Sequence, residues 1–322
     1  LAETVRPQFY NFFPMGPDSE APLAGLLHAP FYVKSNRTSM EENMPLNILY
    51  LREAVSLAAE AIKHLRHDGP LLPNVDQPTR SRLIVDLISW ANKEASQSLN
   101  FPQLMMEALD VLGIDTKESD IFPIVSVNKD QVEWASASEI SYWDRYEDKK
   151  VISLDNLVEH ASISALPPTL GKDRINRLET FLKSTGLIED TLQPGNDKQT
   201  DAVEKLASAL HKRRTRSGGI TLWRNFYIEL GELLDDIPGE HWGERKILMC
   251  QDRVLRAPSV QTPRRRRSSS SNENATVFFP PSRSQSGSLK IPPRLRDRFA
   301  FLDPKLDWGS QLTRTHRKLE EQ

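Results

Sequence analysis

The chain has 322 residues, enough for one large domain or for two to three smaller ones that each bury a core. Hydrophobic residues make up 38% and charged residues 27%, which is ordinary for a globular protein and leaves no apolar run long enough to cross a bilayer. The formal net charge of -2 argues against a globally basic nucleic-acid binder, so binding of that kind would need a local patch.

Two further features bear on where the chain works. Its one cysteine, Cys250, excludes an internal disulfide and fits a reducing cytoplasm. The first residue, Leu1, is not an initiator methionine, and the residues after it lack the pattern of a signal peptide. We therefore expect a cytoplasmic protein and a processed or excised chain whose chemistry could lie upstream.

The N-terminal segment predicts a small sheet followed by a long helix. Aromatic and β-branched runs at 9–14 and 31–33 are typical of short strands. From Pro45 to Leu65 apolar residues recur at three- and four-residue spacing, and "HDGP" then ends the pattern. This spacing predicts an amphipathic helix from about residue 45 to 66.

The middle of the chain is mostly helical by the same criterion. Residues 80–113 contain two helical patterns, whereas 121–143 are typical of short strands or extended loops. Residues 151–163 predict a strand followed by a helix. Helical spacing returns at 172–188 and again at 201–213.

The C-terminal part alternates between ordered and low-complexity sequence. A turn at 216–220 precedes a helix at 221–237, and "RKILMCQDRVLRA" predicts two short strands around a polar turn. The segment "TPRRRRSSSSNENA" has too little apolar content to order itself and predicts a mobile surface loop. "TVFFPP" and "FAFLDPKLDW" beyond it are again apolar and aromatic, so the loop interrupts a domain.

The sequence contains no complete catalytic motif. A nucleophile elbow, a phosphate-loop lysine motif, a dinucleotide glycine fingerprint and an H-E-x-x-H pair are all missing, and a single cysteine cannot build a thiolate zinc site. His64 and His67 lie one helical turn apart without an evident third ligand, so we interpret them as a solvated helix end. We predict no metal or cofactor site in this chain.

Two basic runs, "HKRRTR" at 211–216 and "RRRR" at 264–267, are candidates for neutralising phosphates. Neither run is interleaved with the aromatic residues typical of a single-strand binding surface, so a solvated helix end and a disordered loop are the alternative. The candidate nucleic-acid contacts are Lys212, Arg213, Arg214 and Arg216.

Three consecutive stretches, "FYNFFPMG", "LLHAPFYVKSNRTSM" and "PLNILYLREAVSLAAEAI", resemble the region just after the ATP-binding fold in sacsin-like GHKL ATPases. That superfamily includes gyrase, heat-shock chaperones and histidine kinases. Later stretches, "WRNFYIELGELL", "KILMCQDRVLRA" and "VFFPP", are similar to the downstream half of bacterial proteins of this type. The resemblance leaves the middle of the chain uncovered.

The nucleotide motifs of that superfamily are missing here. It holds magnesium with an Asn on a helix, reads adenine with an Asp-x-Gly-x-Gly loop and covers the phosphates with a glycine-bearing lid. "HDGP" at 67–70 lacks the second glycine. The resemblance therefore implies that this chain does not bind ATP tightly alone and that Mg-ATP belongs to an upstream ATP-binding domain.

The resemblance also suggests a role for two cations. In two-domain members a transducer domain sends a cation from a loop to the terminal phosphate in the neighbouring nucleotide site. Lys34 and Arg37 occupy such a strand-to-turn position, and Arg37 is favoured because a guanidinium can grip phosphate through two hydrogen bonds. The alternative is an ordinary solvated turn. The helix at 45–66 would be the element that switches.

Together these features predict a mostly helical α+β chain with three parts: a transducer-like α+β segment at 1–70, a mostly helical middle domain at 71–215 and a C-terminal α+β segment at 216–322 with a disordered loop near 260–275. The expected function is non-catalytic coupling of nucleotide state to a downstream protein partner in a bacterial ATPase. A homodimer is one of the assembly states that stay open. Two alternatives remain: a nucleic-acid-associated module of an antiviral defence protein, and a helical scaffold for protein partners.

Overall fold

The computed structural model describes residues 8–11, 13–15, 21, 26–35, 39–41, 43–66, 75–89, 99–127, 133–213, 219–258, 276–279, 299–306 and 312–320. The chain divides into two compact units, the first formed by 1–142 with 164–193 and the second by 143–163 with 194–322. The fold is mostly helical α+β, which confirms the predicted class. The three functional segments at 1–70, 71–215 and 216–322 stay a prediction.

Eight α-helices lie within the described residues: α1 (Pro45–Arg66), α2 (Gln77–Ile88), α3 (Phe101–Val111), α4 (Leu154–Ala161), α5 (Lys172–Ser184), α6 (Asn196–Arg213), α7 (Gly219–Asp236) and α8 (Thr313–Glu320). The strands there are β1 (Gln8–Asn11), β2 (Phe13–Pro14), β3 (Leu26–His28), β4 (Phe122–Ile124), β5 (Glu133–Ala135), β6 (Leu248–Met249), β7 (Leu255–Arg256), β8 (Thr276–Phe278) and β9 (Phe299–Phe301).

The sheets are small. In the three-stranded sheet β1 is central, antiparallel to β2 and parallel to β3. β4 pairs with β5 and β6 with β7 as antiparallel ribbons, whereas β8 and β9 pair in parallel. Ribbons this short are not stable alone, so the helices that pack near them must supply most of the stability.

The first unit is built around α1, whose bounds confirm the predicted helix. Its buried stripe follows helical spacing and packs against α2 and α3; it contains Leu51, Val55, Ala58, Ala59, Ile62 and Leu65. Basic side chains in the last turn, among them Lys63 and Arg66, suit the negative end of the helix dipole. The predicted "HDGP" stop after α1 lies outside the described residues.

An ionic contact ties α2 to α5 in the first unit. Asp86 accepts hydrogen bonds from Arg174 Nε at 2.9 Å and from Arg177 Nη2 at 2.7 Å. Both arginines and the aspartate are partly shielded from solvent. A planar fork on a shielded carboxylate holds the two helices in one register.

The second unit centres on an aromatic cluster of α7. Trp223, Phe226 and Tyr227 are fully buried and pack at ring-centroid distances of 5.2 to 5.7 Å. The Tyr227 hydroxyl donates to Ile247 O at 2.8 Å and accepts from Met249 N at 2.7 Å. These two hydrogen bonds join α7 to the β6–β7 ribbon, whose two short strands the sequence predicted.

Two elements of the second unit differ from expectation. Residues 151–153 form no strand, because the backbone N–H groups of Val151 and Ile152 donate to the carboxylate of Glu229 on α7. The helix α8 was not predicted, since its segment is strongly polar and only Thr315 and Leu319 are buried in it among the side chains described. The predicted mobile loop at 262–275 lies outside the described residues.

Candidate functional site

The candidate site is the loop of residues 32–41, between the small sheet and α1, referred to below as the cation loop. Val33 and Met40 form an antiparallel bridge across it. Lys34 N donates to Ser39 O at 2.9 Å, and Glu41 N donates to Tyr32 O at 2.9 Å. These contacts close the described part of the loop into a hairpin-like turn.

Asn47, in the first turn of α1, clamps the base of this loop. Its Oδ1 accepts from Tyr32 N at 2.8 Å, and its Nδ2 donates to Tyr32 O and Glu41 O, each at 2.8 Å. Asn47 is fully buried, and both amide protons have acceptors. The side chain therefore attaches the two arms of the loop to the helix.

The residue before the loop anchors it on the other side. Phe31 is buried and meets Phe9 of β1 edge to face at a centroid distance of 5.1 Å and Tyr50 of α1 at 5.8 Å. Asn11 Nδ2 also donates to Phe31 O at 2.7 Å. The sheet, the cation loop and the start of α1 are thus joined by aromatic packing and by hydrogen bonds.

The structure describes one of the two cations predicted from the sequence. Lys34 is exposed within the closed turn. Arg37 lies outside the described residues. An exposed cation on a fixed turn can meet a phosphate brought by another domain, but the described residues of this loop do not enclose a nucleotide.

The basic run near 211–216 is described only at its start. Lys212 is exposed near the end of α6. Arg213 belongs to α6 by its backbone, and its side chain is not described; Arg214 and Arg216 lie outside the described residues, as does "RRRR" at 264–267. The candidate nucleic-acid contacts therefore stay a prediction.

Metal chemistry finds no support in the part of the chain that the structure describes, where no three His, Cys, Asp or Glu side chains gather as ligands would. His64 is exposed at the end of α1, and His67 lies outside that part. Nor do the described helices include one that is long and apolar enough to cross a bilayer.

A polar cluster in the second unit surrounds Cys250. Arg256, only 1% exposed, donates to both carboxylate oxygens of Asp252 at 2.7 and 2.6 Å. Burial raises the pKa of the Cys250 thiol to about 11, against the opposing effect of Arg256. For Asp252, burial would raise the pKa, but its hydrogen bonds and the Arg256 charge outweigh burial and lower it. A buried thiol that stays protonated is a poor nucleophile, so this cluster is structural.

Asn47 is the residue of the site that the sequence analysis did not identify. A signal was available, because Asn47 lies on the apolar face of α1, one turn before the buried Leu51. A polar side chain at such a position must find hydrogen-bond partners when it is buried. The helical pattern did not identify these partners, because they belong to the cation loop that precedes α1.

Comparison with known proteins gives this site no further context. No protein-family model, no curated protein and no solved structure matches the chain.

Proposed function

We propose that this chain is the coupling region of a sacsin-like GHKL ATPase, linking the nucleotide state of an ATP-binding domain ahead of it to the action of a downstream partner. The sequence stretches around the cation loop and α1 support the family. In this proposal the chain supplies a cation and a helix, α1, that moves in response, and it performs no chemistry of its own. Mg-ATP is held by the upstream domain.

The observation that carries the proposal is the Asn47 clamp. A coupling element must convert a contact at one end into movement at the other, so its parts have to move together. Asn47 binds the backbone of both arms of the cation loop at 2.8 Å. A force on the loop is therefore passed directly to the first turn of α1.

The helix that receives this force is long enough to carry it across the first unit. With 22 residues, α1 spans about 33 Å. Its buried stripe packs against α2 and α3, so a shift of α1 would have to be accommodated by both neighbours. In this proposal α1 moves between two discrete positions.

The cation supplies the nucleotide sensitivity. A positive charge that reaches the terminal phosphate stabilises the charge that develops during transfer, and it loses its partner once that phosphate has left. Arg37 is the preferred residue because its planar fork can hold two phosphate oxygens, and Lys34 is the second candidate.

ATP turnover by the protein with its ATP-binding domain tests the proposal. Arg37→Ala should raise the barrier by about 2 to 4 kcal/mol, as does removal of one preorganised electrostatic contact, while nucleotide affinity stays within about threefold. Arg37→Lys should recover part of the loss. Lys117→Ala, which removes an exposed charge elsewhere in the first unit, is the matched control and should have no effect.

Two results would contradict the proposal. Wild-type hydrolysis in both Arg37→Ala and Lys34→Ala would show that the cation loop does not contact the phosphate. Binding of Mg-ATP to the isolated 322-residue chain with a Kd of about 1 µM, measured by calorimetry, would show that the nucleotide site is not upstream.

A further inference from the structure

A groove runs along the solvent side of α1 and α3 in the first unit, with a cavity volume of about 280 Å³. The C-terminal ends of the two helices lie together, since Lys63 Nζ near the end of α1 donates to Leu112 O just after α3 at 3.3 Å. Apolar side chains line much of the groove, among them Val55, Leu104 and Ala108. At one end Val111 is 86% exposed.

The charged residues that α1 contributes to this groove are divided between its two ends. On the α1 side, Arg52 lies toward the start of the helix and Glu60 toward its end, whereas Glu107 lies near the middle of α3. All three are exposed. Within the described part of the chain, Arg52 and Glu60 make no ion pair, and Glu107 accepts one hydrogen bond, from Gln103 at 3.3 Å. The lining residues of α1 thus give the groove a basic end at Arg52 and an acidic end at Glu60. The Lys63 ammonium is held by Leu112 O just beyond.

We propose that this groove is the contact surface between two copies of the chain, related by a two-fold axis that sets α1 antiparallel to α1 of the other copy. A two-fold interface must be complementary to itself, which requires each feature to find its opposite on the same surface. The groove meets this requirement. A two-fold rotation lays the basic end of one copy over the acidic end of the other, so the same charge pair forms twice in the dimer.

The spacing along α1 fits such an axis. Arg52 and Glu60 are eight residues apart, about 12 Å along the helix, and Ser56 lies midway. An axis at Ser56 places Arg52 opposite Glu60 of the partner subunit. Ser56 is small enough for the helices to approach, and its hydroxyl already donates to Arg52 O at 3.3 Å, so covering it leaves that donor satisfied.

A second copy is preferred over a foreign helix because the groove itself carries both halves of the charge pattern. A foreign helix would have to bring a cation to Glu60 and an anion to Arg52. The groove is small, which places the association among weak interfaces that dissociate on dilution. This inference does not depend on the proposed coupling role.

Sedimentation of the 322-residue chain between about 1 and about 200 µM, the range in which a weak interface associates, tests the proposal. We expect reversible dimers whose Kd rises with salt, because the pairing charges are exposed. Arg52→Glu alone and Glu60→Arg alone should each weaken the dimer about tenfold or more, since like charges then meet twice. Combining the two substitutions should restore the Kd to within about threefold.

That restoration separates charge pairing from a general loss of structure. Ser56→Trp should abolish the dimer by blocking close approach, while Glu139→Arg, a charge reversal at an exposed site away from the groove, should leave the Kd unchanged. Circular dichroism checks that each variant is folded.

A chain that stays monomeric throughout would overturn the proposal. So would a dimer whose Kd does not respond to the single charge reversals, or a double reversal that fails to restore it. A chain that remains monomeric yet binds a helical peptide in this groove would show that the occupant is a foreign helix.

Discussion

Replacing Asn47 by alanine should loosen the cation loop from α1 without unfolding the helix. The substitution removes three hydrogen bonds of 2.8 Å, two to Tyr32 and one to Glu41. Asn47 is fully buried, so the change also leaves a small void. Alanine is itself a good helix former, which keeps the backbone of α1 intact.

The size of the effect follows from these contacts. A hydrogen bond inside a protein contributes about 1 kcal/mol net, so three of them set an upper range of about 3 kcal/mol. Tyr32 is 51% exposed and Glu41 is exposed as well, so water can replace part of what the freed backbone groups lose. We expect the first unit to lose about 2 kcal/mol of stability, roughly a 30-fold change in its equilibrium constant.

Hydrogen exchange measures the loosening of the cation loop, and denaturant unfolding measures the loss of stability. The amide of Tyr32 should exchange about 30-fold faster in Asn47→Ala, and the midpoint of unfolding should fall. Asn47→Asp should be at least as damaging, because its second oxygen would face the carbonyl oxygens of Tyr32 and Glu41. Glu53→Ala, an exposed change on the same helix, should stay within about 0.5 kcal/mol.

The clamp would be refuted by a simple pair of results. A loss of less than about 0.5 kcal/mol in Asn47→Ala, together with unchanged exchange at Tyr32, would mean that the loop holds its shape without the helix.

Two further predictions concern the second unit. Burial raises the pKa of Cys250 from 9.0 to about 11, so the folded state keeps a proton that the unfolded state loses, and stability should fall as pH rises from 9 towards 11. In Cys250→Ala, the unfolding free energy measured with urea should depend less on pH between 9 and 11. An unchanged dependence on pH would contradict the raised pKa of Cys250. Gly231→Ala would place a Cβ inside van der Waals contact with Thr315 Oγ1, so it should destabilise α8 packing by about 1 to 3 kcal/mol. In a double-mutant cycle with Thr315→Ala, the double variant should lose less unfolding free energy than the sum of the two single losses. Fully additive losses would contradict the clash.

Local sequence signals determined the individual elements. The bounds of α1 followed from helical spacing that begins at Pro45 and runs to the "HDGP" stop, and the structure gives Pro45–Arg66. The β6–β7 ribbon followed in the same way from two apolar runs around a polar turn. Such signals depend on neighbours a few residues apart, so they need no knowledge of the rest of the fold. The fold class was predictable for the same reason.

The candidate site was predictable only in part. Sequence placed Lys34 in a turn between the small sheet and a long helix, and the structure gives that arrangement. It did not indicate that Asn47 holds this turn, because the two partners are 15 residues apart and one side-chain amide has no periodic signature. Arg37 is outside the described residues, so its role stays a prediction.

The tertiary structure alone decided the contacts that join distant segments. The Glu229 carboxylate receives backbone N–H groups 77 to 79 residues away, and in doing so it replaces the strand that sequence predicted at residue 151. The polar α8 is ordered because Thr315 donates to Tyr227 O at 2.6 Å, 88 residues distant, in the space left by the missing side chain of Gly231. A local pattern records the face that a segment can bury, whereas the partner of a single buried polar group depends on which distant segments the fold brings together.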